Sequence, residues 1–144
     1  MKKEVEPYKR TVQYYETDRM GVAHHANYIH WMEEARIDLM NQLGFPYADM
    51  EARNVLSPVK ALSCEYRQSC TFGDEISISV SVESFNGVVM TILYDMRKTA
   101  SGEQICTARS EHVFLDRDGH FVRMRKVMPE FCGTMEAQIR EAEA

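Results

Sequence analysis

Asn27-Tyr28-Ile29-His30-Trp31-Met32-Glu33-Glu34-Ala35-Arg36-Ile37-Asp38-Leu39-Met40-Asn41-Gln42-Leu43-Gly44 decides the architecture, because its apolar residues keep a helical period over a long run. Met32, Ala35, Leu39 and Leu43, with Ile29 and Met40 alongside, recur at spacings of three and four. That is the stripe a helix buries on one side. Asn27 reads as the N-cap, its side-chain oxygen accepting from a first-turn N–H, so the helix runs from Tyr28 to Leu43. Glu33 and Glu34 lie toward the positive end of the helix dipole. Gly44 and then Pro46 close the segment.

On both sides of this helix the period changes to two. Upstream, residues 8–15 carry β-branched and aromatic residues and read as a first strand, while Glu16 to Ala26 is a polar loop broken by Gly21. Downstream, residues 55–70 read as a long, bent strand. In 75–83, Ile76, Ile78, Val80 and Val82 alternate with Glu and Ser. Asn86-Gly87 marks a hairpin turn, since both residues tolerate positive φ. Val88, Met90, Ile92, Tyr94 and Met96 alternate again, Ser101-Gly102 makes a turn, and 104–115 is a further strand. The turn Asp116-Arg117-Asp118-Gly119 follows, and Pro129 opens a short C-terminal helix to about Ala142. One strand, one long helix and then four or five antiparallel strands predict an α+β fold, with the sheet wrapped around the helix that covers it. No linker, repeat or low-complexity tract divides residues 1–144, so a single domain is expected. The free sheet edges call for a partner, and a strand-paired dimer is the simplest one.

Composition narrows the function. At 44% hydrophobic and 27% charged, the chain is an ordinary globular sequence rather than a disordered or fibrous one. A net charge of −5 speaks against nucleic acid, which demands clustered Lys and Arg. The one basic cluster, Arg123, Arg125 and Lys126, is a solvated strand end or a patch for a phosphate-bearing ligand such as the nucleotide of coenzyme A. The N-terminus lacks the apolar run of a secretory signal, and no stretch reaches the roughly 18 apolar residues of a membrane span. A cytoplasmic protein without a membrane span is expected. Cys64, Cys70, Cys106 and Cys132 are scattered and read as reduced thiols. No metal and no cofactor are expected. His25 and His30 stand five apart, whereas two ligands on one helix face stand four apart.

The chemistry concentrates in Tyr14-Tyr15-Glu16-Thr17-Asp18-Arg19-Met20-Gly21-Val22-Ala23-His24-His25-Ala26-Asn27-Tyr28. It sets a carboxylate, Asp18, in a loop that leads into a helix N-terminus. Unpaired N–H groups there suit a carbonyl oxygen that turns negative during acyl transfer. Gly21 permits backbone conformations or close approaches that a side chain would block. On spacing alone, a helix cap or a solvated loop residue remains the commoner role for such an Asp.

The pattern Asp18-x-x-Gly21-Val22-x-x-His25-Ala26-Asn27-Tyr28, followed by Trp31-Met32-Glu33-Glu34-Ala35-Arg36, resembles the hotdog-fold thioesterases of the 4-hydroxybenzoyl-CoA thioesterase family. It looks most like the acyl-CoA branch associated with the Tol–Pal gene cluster. The likeness extends through Ser57-Pro58-Val59, Glu65-Tyr66 and Phe72-Gly73-Asp74 to about residue 116. It implies that Asp18 is the nucleophile or general base and that the His25 main-chain N–H binds the thioester oxygen. It also implies that Gly21, Tyr28, Glu33, Ser57 and Val59 form the substrate side, Glu33 toward the acyl pocket and Ser57 from the neighbouring subunit. The implied substrate is acyl-CoA, with acyl carrier protein as another possible carrier. The implied assembly is a homodimer or homotetramer with intersubunit active sites. Each residue keeps a plainer reading: Tyr28 as packing, Glu33 as a residue that favours the helix start, His25 as an imidazole that acts directly. His24 departs from the branch, which usually has an aromatic residue there. Two other activities compete with hydrolysis: a hotdog dehydratase or hydratase, and a non-catalytic acyl-CoA-binding or interaction module.

Overall fold

The computed structural model describes residues 2–143, without the side chains of 140–143. Five strands form one antiparallel sheet: β1 (Tyr8–Thr11), β2 (Val59–Tyr66), β3 (Glu75–Phe85), β4 (Met90–Lys98) and β5 (Gln104–His112), in the order β1-β3-β4-β5-β2. The long helix α1 (Asn27–Leu43) lies on one face. Its buried stripe of Tyr28, Trp31, Met32, Ala35, Arg36, Leu39, Met40 and Leu43 meets Ile76 and Ile78 of β3 and Ile92, Tyr94 and Met96 of β4 in one core. This is the α+β arrangement that the alternating strands and single long helix predict, and the hotdog fold that the family resemblance implies. Ile29, counted in the stripe from sequence, is instead exposed.

Several boundaries differ from the sequence reading. The first strand stops at Thr11, and Tyr14–Glu16 form a tight 3₁₀ turn. Asn27 is the first helical residue rather than the cap: Ala26 occupies the cap position, and the Asn27 amide donates to the Glu16 carbonyl at 2.8 Å. The bent strand of 55–70 is regular only as β2, with an irregularity between Val59 and Ala61. Pro46 starts a helix that the periodicity did not announce, α2 (Tyr47–Ala52). β4 begins at Met90 because Asn86 Oδ1 accepts from the N–H groups of both Val88 and Val89 and holds them in the turn. The basic cluster lies not at a strand end but on and beside α3 (Met124–Val127), where Arg125 pairs with Glu136 at 2.6 Å. The last helix, α4 (Pro129–Glu143), is longer than a minor appendage: Phe131 packs edge-on against Phe45, Phe85 and Phe114. It extends the core past the end of α1.

The two sheet edges are unlike. β1 is four residues long, whereas β2 is eight residues long and exposed along nearly its whole length, Val59, Leu62 and Tyr66 included. A long, apolar, unpaired edge strand is one that proteins normally cover or pair.

Candidate active site

The Asp18 loop is a tight reversal. Gly21 N–H donates to the Asp18 carbonyl at 3.0 Å, and Asp18 N–H donates to the Val22 carbonyl at 2.9 Å. Gly21 sits at φ +80°, where a side chain would be strained. Asp18 Oδ1 accepts from the Met20 N–H at 2.8 Å, which fixes the carboxylate over its own turn. Its Oδ2 has no hydrogen-bond partner among the described residues.

The chain then enters α1 through His24, His25 and Ala26. His24 N–H donates to the Glu16 carbonyl at 2.8 Å, and Ala26 N–H donates to His24 Nδ1 at 3.1 Å. Between them, the His25 N–H has no acceptor among the described residues, at the positive end of a 17-residue helix. The His25 carbonyl is held by the Tyr66 hydroxyl at 2.9 Å. The imidazole is exposed and stacks on His24 at 4.3 Å between centroids.

Asp18 and His25 line one cavity of about 350 Å³ with Met20, Val22, Tyr28 and Tyr66. Tyr28 is buried, its hydroxyl 3.4 Å from Cys70 Sγ and its ring edge-on to Tyr66. Burial pushes its phenol well above the ordinary range, so it stays neutral. The other candidates stand elsewhere in the same chain. Glu33 is exposed on α1, 3.9 Å from Arg36. Val59 is exposed at the start of β2. Ser57 lines a second cavity of about 480 Å³ with Tyr47, Met50, Val55 and Leu115, and its buried Oγ has no partner. One cavity adjoins Tyr66 at the end of β2, and the other adjoins Ser57 before its start. Eight strand residues, about 26 Å, separate them.

Glu16 organises this region, although nothing in the loop's polarity distinguishes it from its neighbours. Its side chain is 4% exposed and accepts from Arg10 Nη1 (2.6 Å), Gln13 N–H (2.8 Å) and Trp31 Nε1 (2.8 Å). Its carbonyl holds His24 N–H and the Asn27 amide. Burial alone would raise the Glu16 carboxyl, but the hydrogen bonds from Arg10, Trp31 and Gln13 outweigh it and hold the group below the usual range. Gln13-x-x-Glu16 is a capping-box spacing, the signal that could have singled it out.

Among the described residues one group of possible metal ligands converges: Asp116, Asp118 and His120, on the turn after β5. Asp116 Oδ1 already accepts from the N–H groups of Asp118 and His120, which accounts for their proximity. His24, His25 and His30 make no such group. All four cysteines are free thiols, and no described helix is long and apolar enough to cross a membrane.

A family model described as the thioesterase-like superfamily matches residues 12–136. The chain is 37% identical over 131 residues to Bacillus subtilis YneP, named provisionally as an acyl-CoA thioesterase, covering 90% of this chain and 91% of that one. It is 31% identical over 87 residues to the Haemophilus influenzae acyl-CoA thioesterase YbgC, covering 60% and 62%. Among solved structures, a DHNA-CoA thioesterase from Staphylococcus aureus superposes with a TM-score of 0.87 at 29% identity, over 92% of this chain and 89% of that one.

Proposed function

This chain belongs to the thioesterase-like superfamily, and on that premise we propose that it hydrolyses acyl-CoA thioesters to a free carboxylic acid and coenzyme A through Asp18. The observation that carries the reading is the His25 N–H, unspent at the start of α1 on a residue that lines the same cavity as Asp18. A thioester oxygen accepting from that N–H gains most when the carbonyl carbon becomes tetrahedral and the oxygen negative, and the helix dipole adds to the gain. Asp18 Oδ2 attacks that carbon, expels the thiolate and leaves an anhydride for water to cleave. In the other route it takes a proton from a water that attacks instead. Both routes end in acid and thiol. The His25 role is a main-chain one, so its imidazole is dispensable.

The remaining candidates join the site if two subunits pair through β2. Antiparallel pairing about a twofold axis sets the Ser57 end of one strand beside the Tyr66 end of the other. The Asp18 cavity of one subunit then meets the Ser57 cavity of its neighbour, with Glu33 and Val59 near the seam. The exposed apolar residues along β2 support this dimer, and a tetramer is a further pairing of such dimers. The His25-Ala26-Asn27-Tyr28 motif favours the Tol–Pal-associated branch; the carrier is coenzyme A or acyl carrier protein, and the setting is cytoplasmic.

Thiol release from a panel of short, long and aromatic acyl-CoAs, measured on protein whose mass is determined in solution, tests the proposal. Release of thiol from at least one of them by a dimer or larger assembly is expected. Tight binding without release would make the protein a binding module, and loss of enoyl absorbance without thiol would make it a dehydratase or hydratase.

A further inference from the structure

The peptide units on either side of His25 are held differently. In the unit before it, the His24 carbonyl accepts from the Asn27 N–H at 3.0 Å, while the His25 N–H has no acceptor among the described residues. In the unit after it, side chains take both polar ends. The His25 carbonyl accepts from the Tyr66 hydroxyl at 2.9 Å, a shorter bond than the 3.3 Å one from the Tyr28 N–H. The Ala26 N–H donates to His24 Nδ1 at 3.1 Å. A carbonyl only accepts and a peptide N–H only donates, so the direction of each bond is fixed. His24 Nδ1 must offer its lone pair, which leaves the proton of the neutral ring on Nε2.

A peptide unit is planar, so a hold on both ends of the unit after His25 fixes its plane. The unit before it is tied through the His24 carbonyl. Together these bonds restrict φ and ψ at His25 and with them the direction of its N–H. A first helical turn has few bonds of its own and tends to fray, so the restraint has to come from outside it. Tyr66 supplies that restraint. It is the last residue of β2, paired with Cys106 of β5. Its ring stands edge-on to the buried Tyr28 ring at 5.0 Å and to the His25 imidazole at 6.3 Å. Burial pushes its phenol above the ordinary value, so the donor proton stays in place at neutral pH.

We infer that Tyr66 is a positioning residue for the hydrolysis: its hydroxyl, with His24 Nδ1 as the second hold, clamps the peptide after His25 and keeps the His25 N–H aligned for the thioester oxygen. The role rests on the proposed hydrolysis through that N–H. Tyr66 also lines the cavity beside Asp18, and kinetics separate the two roles. A hold on a donor that bonds most strongly in the transition state acts on kcat. A wall contact that bound substrate makes equally acts on KM.

The test is thiol release from the acyl-CoA that the wild type cleaves best, with circular dichroism and solution mass checking each variant. Tyr66→Phe keeps the ring and its packing and removes only the hydroxyl. It should lower kcat about five- to tenfold and leave KM within about twofold. His24→Phe keeps a ring against His25 but offers no acceptor, and should lower kcat severalfold. His24→Asn places an acceptor within reach of the N–H two residues on and should restore most of that loss. An unchanged kcat in Tyr66→Phe, a rise in KM alone, or equal rates in the two His24 variants would overturn the clamp and leave the hydrolysis standing. Release of no thiol by the wild type would instead strike the proposed function itself, and the clamp's part in it.

Discussion

Replacing Glu16 by Ala should damage stability and rate together. The substitution removes an acceptor from Arg10 Nη1 at 2.6 Å, from Gln13 N–H and from the Nε1 of Trp31, which is fully buried. Breaking a buried ion pair by deleting one partner costs about 3–5 kcal/mol. Arg10 keeps Glu34 at 3.0 Å, which moderates the loss, so about 3 kcal/mol is expected. At about 4 °C per kcal/mol for a chain of this size, the melting temperature falls by about 12 °C. Glu16→Gln retains one carbonyl oxygen and should lose roughly half as much. Because the Glu16 carbonyl also holds both flanks of His25, a displaced turn shifts the His25 N–H relative to Asp18. Thiol release should fall at least about tenfold in Glu16→Ala, under conditions where the protein remains folded. Urea titration at fixed protein concentration, with thiol-release assays below the transition, measures both effects. A loss below about 1 kcal/mol with unchanged turnover would refute the view that Glu16 pins the site.

Burial, with Arg36 nearby, pushes the His112 imidazole from its ordinary 6.5 down to about 3. The unfolded chain therefore binds a proton below pH ~6.5 that the folded chain refuses until pH ~3, so stability falls as pH drops through that window. Between pH 7 and 5 the loss from this group is about 2 kcal/mol, and His112→Gln should remove that part of the slope in urea midpoints. A slope unchanged in the variant would show that His112 titrates normally. Leu62→Lys places a charge on the exposed strand β2 and should convert the proposed dimer to monomers in analytical ultracentrifugation, with turnover lost in parallel. A variant that stays dimeric and active would place the interface elsewhere.

What the sequence revealed and what it hid follow from the range of the interactions. The α1 stripe and the alternation in β3 and β4 are local periodicities, and their spacing survives folding unchanged. The Asp18 turn and the entry to α1 are separated by only a few residues, so the carboxylate and the His25 N–H could be read as one loop. Asn27 looked like a cap because its residue type suits one, but its side-chain amide donates to the Glu16 carbonyl and the helix starts one residue earlier, at Asn27 itself. α2 is six residues long, too short for a period to show. The buried hydrogen-bonded chain that links Tyr47, Arg36, Tyr94, Ser110 and His112 was invisible for a different reason. Its members come from α1, α2, β4 and β5, and only the register that sets Ile92 opposite Ser110 and Met90 opposite His112 brings them under the helix. The spacing of Met128, Phe131, Cys132 and Met135 did carry the signal of a core-facing α4, since all four are buried.

If Asp18 performs the chemistry on a thioester held at the His25 N–H, thiol release from the best acyl-CoA substrate must separate wild type from Asp18→Asn, with circular dichroism and solution mass confirming the same fold and assembly. The substitution keeps the shape of the turn and removes the charge and basicity. A fall of at least about a thousandfold in kcat is predicted, the scale at which an essential nucleophile or base acts. Equal turnover by a folded Asp18→Asn variant would remove Asp18 from the reaction.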